Sequence, residues 1–301
     1  MKLIVDKESI IYDYLRDNLK ESKNTIKGFL TKRMVTINNK VVTKYDYKVH
    51  PNDEIIIGNT QISNNNMTNI DIIYEDNFLI AVTKPNNLLT IATDKEKERT
   101  LYNMVSSYVK EKDKNNKIFI IHRLDKDTSG IVLFAKDEKT KKVFQNNWND
   151  NVKRTYLAVV HGKTKDKTSL VLNMKETKDG LITYVDNNGD KTITNYTKIV
   201  GNEEYSYLEI DIKTGKKNQI RVALSSTGNP ILGDHKYGIK DDSKIMMLHA
   251  YKLEFINPLN KKKMVLISKP SKVFNYYKKL CCWYFRKIIY NKRIGDFYEE
   301  N

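Results

Sequence analysis

His122-Arg123-Leu124-Asp125-Lys126-Asp127-Thr128-Ser129-Gly130 lies between two apolar runs, Ile118-Phe119-Ile120-Ile121 and Ile131-Val132-Leu133-Phe134-Ala135. Short apolar runs rich in β-branched residues and bounded by turn-forming residues read as buried strands. The pattern predicts two strands that hold up a short polar segment carrying one carboxylate flanked by cations. Burying a carboxylate beside an arginine is costly, so a chain that does so has a chemical use for it. In extended backbone alternate side chains share a face, which sets Arg123 on the side of Asp125 and Lys126 on the other. An aspartate here can equally cap a turn through Asp127-Thr128-Ser129-Gly130. The segment alone leaves both readings open.

The 301 residues are 40% hydrophobic and 10% aromatic, enough for one large domain and a small one. Lysine and arginine number 53 against 37 acidic residues, a net charge of +16 that points to a polyanionic partner. No apolar run approaches the ~20 residues needed to cross a bilayer, so nucleic acid is favoured and no membrane partner is expected. Met1-Lys2-Leu3-Ile4-Val5-Asp6 lacks the apolar stretch of a signal peptide. The only cysteines, Cys281 and Cys282, are adjacent and cannot build a disulfide framework. A reducing, cytoplasmic location is the expectation. His122, His161, His235 and His249 are scattered, and the sequence has no P-loop or Gly-x-Gly-x-x-Gly pattern, so neither metal nor cofactor is expected.

Residues 1–57 read as a compact unit. Ser9 is a candidate cap for a helix carrying Ile10, Tyr14, Leu15 and Leu19, and Asn24 or Thr25 for a second carrying Ile26, Phe29 and Leu30. Val35, Ile37, Asn38-Asn39 and Val41 predict a tight hairpin, followed by a strand at Glu54-Ile55-Ile56-Ile57. The polar stretch 58–69 reads as a linker. Residues 70–272 show β-rich runs at 72–74, 78–82, 156–160 and 207–212, with helices expected at 101–109 and 138–148. Without regular β-α-β alternation, an α+β fold with a mainly antiparallel sheet is favoured. From 273 to 301, Val273, Tyr277, Leu280, Tyr284 and Ile288 recur at helical spacing among Lys278, Lys279, Arg286, Lys287, Lys292 and Arg293. That pattern predicts a basic amphipathic helix with one face packed on the domain, with added RNA contact or a weak membrane-surface contact as the alternatives.

His-Arg-Leu-Asp followed two residues later by Thr-Ser-Gly fixes seven positions, a chance match on the order of 10⁻⁹ at any one site. This signature resembles that of the RluA-type pseudouridine synthases. Further blocks occur in the family's order: Lys84-Pro85-Asn86-Asn87-Leu88-Leu89, Lys153-Arg154-Thr155-Tyr156-Leu157-Ala158-Val159, Thr214-Gly215-Lys216-Lys217-Asn218-Gln219-Ile220-Arg221-Val222, Gly228-Asn229-Pro230-Ile231-Leu232-Gly233-Asp234 and Leu248-His249-Ala250. The resemblance spans roughly residues 72 to 272. It implies that Asp125 is the nucleophile attacking a target uridine and that Tyr156 stacks on the uracil. It further implies that Arg221 pairs with Asp125 and that Arg123 fills the gap left by a flipped nucleotide. Flipping a base costs a few kcal/mol, and aromatic stacking returns ~1–3 kcal/mol. The implied isomerisation gains and loses no electrons and needs no cofactor. The pair Asp125 and Asp127 also suggests a glycosidase-like arrangement, which sequence spacing cannot support.

The chain departs from the family pattern where Asn87 replaces a glycine, Lys216 an arginine, Asn218 a histidine and Ala223 a frequent histidine. Lysine keeps charge but loses bidentate phosphate contact, so these changes bear on RNA positioning. The N-terminal unit resembles the alpha-L RNA-binding module, in which Lys23, Lys27 and Arg33 would face phosphates. Structured RNA is the expected partner, ribosomal RNA ahead of transfer RNA, with the protein as a monomer. A non-catalytic RNA-binding or ribosome-assembly factor on the same fold is the alternative, and a base-removing enzyme a third reading.

Overall fold

The computed structural model describes residues 1–32, 34–38, 40–58, 70–94, 96–146 and 148–282. The chain divides into two compact units, Met1–Asn69 and Ile70–Asn301. Most of the expected linker, Arg33, and the tail beyond residue 282 (including Tyr284 and Ile288) lie outside the described residues.

In the first unit, strands β1 (Lys2–Ile4) and β2 (Ser9–Ile10) precede helices α1 (Ile11–Asn18) and α2 (Lys23–Thr31). Strands β3 (Val35–Ile37), β4 (Lys40–Val41), β5 (Lys48–Val49) and β6 (Glu54–Ile57) follow. The sheet order is β1-β6-β3-β4, with β2 and β5 forming a separate ladder. Ile11, Leu15, Ile26, Leu30, Val35 and Ile55 close the core. Two caps differ from the expectation. Ile10 occupies the N-cap of α1, and the Ser9 hydroxyl donates to the Ile10 carbonyl instead. Ser22 caps α2 by accepting the Thr25 amide, so Asn24 and Thr25 fall inside the helix. A serine just before the helix, placed to satisfy a first-turn amide, is the cap, and Asn24 and Thr25 are already inside the first turn. The hairpin forms as expected, with Asn38 at φ 49° and Thr36 opposite Val41. Lys23 and Lys27 are exposed on α2.

The second unit holds an eleven-stranded mixed sheet. Its strands are β7 (Asp71–Glu75), β8 (Leu79–Lys84), β9 (Phe119–Ile120), β10 (Ser129–Ala135), β11 (Val152–His161), β12 (Lys167–Glu176), β13 (Thr183–Val185), β14 (Asp190–Gly201), β15 (Tyr205–Ile212), β16 (Leu248–Ile256) and β17 (Lys263–Ile267). The order is β13-β12-β14-β15-β11-β16-β10-β8-β7, with β17 against β16 and β9 against β10. The pairings are antiparallel except β10 with β16, which run parallel. Helices α3 (Leu101–Lys112), α4 (Glu138–Asn146), α5 (Trp148–Asn151) and α6 (Gln219–Ser226) pack around it. This is the mainly antiparallel α+β architecture that the sequence predicts.

Two details decide where the site sits. The run Ile131–Ala135 is buried in β10, as expected, whereas Ile118–Ile121 contributes only the two-residue β9. The parallel contact explains Gly130, which has φ +114°. A Cβ there would lie 2.6 Å from the Ala250 nitrogen and closer still to its oxygen, so only glycine lets β10 and β16 approach. A further helix covers residues 272–282. Phe274 and Cys281 are fully buried in the second unit's core while Val273 is exposed. The inward stripe is therefore Phe274, Tyr277 and Cys281: Tyr277 faces inward as expected, while Phe274 and Cys281 take the places of Val273 and Leu280. Phe274 wins because its ring packs edge-on to Tyr207.

Candidate active site

The segment from His122 to Thr128 is not a strand; side chains from elsewhere hold its backbone. The Thr90 hydroxyl donates to the Leu124 carbonyl at 2.8 Å and accepts the Leu124 amide at 3.2 Å. The buried Lys84 ammonium donates to the carbonyls of Lys126 (2.8 Å), Leu88 (2.7 Å) and Pro85 (3.0 Å). Asn86 donates to the Asp127 and Met246 carbonyls, and the Thr128 amide donates to Asp125. Backbone groups denied a sheet ladder thus find side-chain partners on both flanks of Asp125. Burial pushes the Lys84 ammonium down to about 7, against the pull of Asp127 and Asp125. Asn87 explains one departure: it sits at φ +60°, which asparagine tolerates where the family has glycine.

At the head of the segment, His122 stacks on Trp148, centroids 4.4 Å apart and planes 21° apart. Its Nε2 accepts the Leu133 amide, which requires the unprotonated nitrogen there. Burial, with the Arg154 charge added, pushes this histidine down to about 3. His122 is a structural anchor. His249 is another, bridging Ser129 and the Ser268 carbonyl.

Asp125 lines a cleft of about 810 Å³ together with Arg123, Trp148, Tyr156, Arg221 and Leu248. Its side chain is 33% exposed, less buried than the sequence suggests, so a ligand in the cleft can reach it. Arg221, on α6, brings Nη1 to 3.6 Å from the carboxylate. Its tight partner is a different residue. Nε and Nη2 donate to the two oxygens of buried Asp234 at 2.7 Å each, and Nη1 donates to Asn218 at 2.8 Å. Burial alone would depress the guanidinium, but Asp234 outweighs it and the arginine is held above its ordinary value. Asp234 is correspondingly held below the usual carboxylate range: burial opposes ionisation, while Arg221 and the Tyr237 and Lys236 amides overcome it. Arg221 therefore gives Asp125 a fixed positive field without consuming its lone pairs.

Tyr156, on β11, faces the same cleft. Burial pushes its phenol up to about 12, Arg154 opposing and Asp125 adding to the effect. At neutral pH it is an uncharged ring with a hydroxyl donor. Arg123 is exposed on the cleft lining and forms no ion pair with Asp125, so the sequence neighbour is not the counter-ion. The structure thus brings Asp125, Tyr156, Arg221 and Arg123 to one cleft. Lys23 and Lys27 belong to the other unit, and Arg33 is outside the described residues.

Sequence reading missed Asp234, Asn218 and Lys84 as parts of the site. One signal was available, since a buried arginine implies a buried carboxylate and Asp234 stands in a block already singled out. Asn218, at φ +54° as N-cap of α6, holds Arg221 and donates to the Tyr237 hydroxyl. Lys216, at the position of the family's arginine, pairs with Asp190.

A solved human structure, "RNA Pseudouridylate Synthase Domain Containing 4", matches with TM-score 0.57 over 68% of this chain and 90% of that one, at 22% identity. It establishes the fold as that of the pseudouridylate synthases. The family model for RNA pseudouridylate synthase matches residues 78–226. A Borreliella burgdorferi relative, ribosomal large subunit pseudouridine synthase D, is 31% identical over 78% of this chain and 79% of its own length. A Haemophilus ducreyi relative, tRNA pseudouridine synthase C, is 29% identical over 65% and 89%. The chain belongs to the RNA pseudouridylate synthase family and is a pseudouridine synthase acting on RNA.

Proposed function

We propose that this enzyme isomerises specific uridines in structured large-subunit ribosomal RNA, with Asp125 as the nucleophile. The observation that carries this reading is the arrangement around Arg221. Its hydrogen bonds are taken up by Asp234 and Asn218, so the Asp125 carboxylate stands charged-compensated at 3.6 Å yet free to attack. An ionised aspartate needs no base to act as a nucleophile. In the reaction the uracil N1–C1′ bond breaks, the ring turns, a C5–C1′ bond forms, the C5 hydrogen leaves as a proton, and N1 takes up a proton from solvent. Asp125 attacks the target nucleotide and is released when the new bond closes. Tyr156 stacks on the flipped uracil, and Arg123 occupies the vacated space in the RNA.

The +16 charge and the likeness to a ribosomal large subunit enzyme support ribosomal RNA. The exposed Lys23 and Lys27 on α2 support a phosphate-binding role for an alpha-L-like N-terminal unit, to which Arg33 would add. The protein acts as a cytoplasmic monomer in this reading. Transfer RNA is the second substrate reading, favoured by the likeness to tRNA pseudouridine synthase C. The test incubates the protein with ribosomal RNA or bulk transfer RNA carrying tritium at uracil C5 and measures tritium released to water. Release from large-subunit RNA, abolished in Asp125→Asn with RNA binding retained, is expected. Release from transfer RNA alone would refute the ribosomal assignment, and turnover by Asp125→Asn would refute the nucleophile.

A further inference from the structure

Two residues before Tyr156, on the same strand and therefore the same face, lies a second arginine that the reaction just described does not use. Arg154 is only 4% exposed, yet it lines the cleft. Among the described residues its single hydrogen bond runs from Nη2 to the Lys213 carbonyl at 3.3 Å. The buried Nε has no acceptor, and among the described residues Nη1 has none and no carboxylate pairs with the guanidinium. Arg221 in the same cleft shows how this chain treats a buried arginine when its charge is internal, with a bidentate carboxylate and a third acceptor. Arg154 has been given the opposite treatment. Burial holds it below the ordinary arginine value, relieved only by Tyr156. Five fixed donors with one weak neutral acceptor form a site lacking its anion.

The surroundings are built for that side chain. Gly215 leaves the room it occupies, since a Cβ there would lie 2.7 Å from Nη1. The Asn149 side-chain oxygen lies beside Gly215 in the same part of the cleft. Strand spacing puts Arg154 about 6.6 Å along β11 from Tyr156. A nucleotide whose base stacks on Tyr156 carries its backbone anions within reach of such a position.

We propose that Arg154, with Gly215 and Asn149 shaping the pocket, binds a backbone phosphate of the RNA adjoining the target uridine. The proposal rests on the reading that this cleft receives the flipped nucleotide. The planar fork suits a phosphate, whereas a uracil carbonyl would leave its charge uncompensated. Binding there gives the guanidinium the charge partner that the protein withholds, and fixes the ribose against Asp125.

The test uses the full chain and a stem–loop containing a uridine mapped as a modification site on ribosomal RNA. Stem–loops with one neutral methylphosphonate at either phosphate flanking that uridine are compared with the all-phosphate form. Wild type is expected to lose about 10-fold in kcat/KM for one of the two neutral linkages, mostly through KM. Arg154→Met is expected to show that loss already with all-phosphate RNA and no further loss at the same linkage, with kcat within about threefold. Its log affinity against log salt is expected to flatten by about 0.7, the share of one single-strand phosphate. Should Arg154→Met fail to fold, Gly215→Ala, which displaces the guanidinium while keeping its charge, is expected to erase the same linkage effect. Equal sensitivity to every linkage in wild type and variant would overturn the proposal, as would a fall in kcat with KM and salt slope unchanged. Asp125→Asn run in parallel separates the two ideas. Normal turnover by that variant overturns the cleft assignment itself, whereas an inactive Asp125→Asn beside an insensitive Arg154→Met overturns the phosphate site alone.

Discussion

Removing the Asp234 carboxylate tests how the site is supported. Asp234 is 1% exposed and holds two of Arg221's donors at 2.7 Å. In Asp234→Ala the guanidinium keeps Asn218, and Asp125 at 3.6 Å becomes its nearest carboxylate, with Asp127 adding a weaker charge. Losing one partner of a buried pair costs 3–5 kcal/mol. Closure of Asp125 onto the freed arginine recovers part of that, leaving about 3 kcal/mol, or about 6–12 °C in melting temperature for a unit of this size. The recovery has a chemical consequence. A carboxylate drawn into a direct charge-assisted bond must break it to attack, at about 1.5–3 kcal/mol, so kcat is expected to fall about 10- to 150-fold. The assays are thermal melting by circular dichroism and tritium release at saturating RNA. The double variant Arg221→Met/Asp234→Leu completes the argument, because apolar replacement of a buried pair is often neutral in stability. It is expected to melt within about 4 °C of wild type with no turnover. An Asp234→Ala protein that melts and turns over like wild type would refute the reasoning, since Arg221 would then be held by something other than Asp234.

Gly130→Ala is expected to leave little folded protein on expression, because its Cβ would occupy the Ala250 backbone; a soluble, active variant would show that β10 and β16 can separate. Lys84→Met removes three donors from the carbonyls around Asp125 and is expected to lower kcat at least 10-fold with KM little changed, read by tritium release; an unchanged kcat would show that Thr90 and Asn86 suffice. Glu75 accepts from Tyr108, Lys112 and Lys136; although burial works against ionisation, these partners hold it down to about 2. A carboxylate with a lowered folded value stabilises above its unfolded value near 4.5, and that contribution is lost as pH falls through 2. Screening at this partly solvated cluster reduces the nominal ~3 kcal/mol to about 1–2. In urea titrations Glu75→Gln is expected to be less stable by that amount at pH 7 and to match wild type near pH 2, and a gap that persists in acid would refute the assignment.

The sheet was legible because its strands announce themselves locally. β8, β10, β11 and β15 each carry apolar runs whose burial their sequence dictates. The parallel contact of β10 with β16 was not legible, since it joins residues about 120 apart through a glycine whose need for space only the partner strand reveals. The caps differ for two reasons: α2 has a better-placed serine, Ser22, one residue before its start, and α1 has Ile10 at its N-cap with no side-chain cap at all. The tail's stripe moved at its ends, with Tyr277 kept: Val273 and Phe274 both fit helical spacing, and the Tyr207 ring favours Phe274. Asp125 was found by motif, but its environment was not. Pattern placed it as a buried carboxylate, whereas the fold leaves it a third exposed, as an attacking group must be.

The two cleft arginines show why charge balance carries more functional information than charge itself. Arg221 and Arg154 are equally buried, at 5% and 4% exposed, and both face the cavity. Burial cannot rank them. What separates them is partnership: Arg221 is matched by Asp234 and so belongs to the apparatus that keeps Asp125 in place, whereas Arg154 is left short of acceptors. A protein can tolerate a desolvated, unmatched cation only where that cost is offset on binding. RNA brings the missing charge with every nucleotide, while its bases bring none. The substitutions at Asn218 and Lys216 fit this division. Asn218 still satisfies Arg221, keeping the matched arginine rigid, and Lys216 is already paired with Asp190. With Lys216 engaged, the phosphate-holding duty in this part of the cleft falls on the arginine that, among the described residues, has no carboxylate partner.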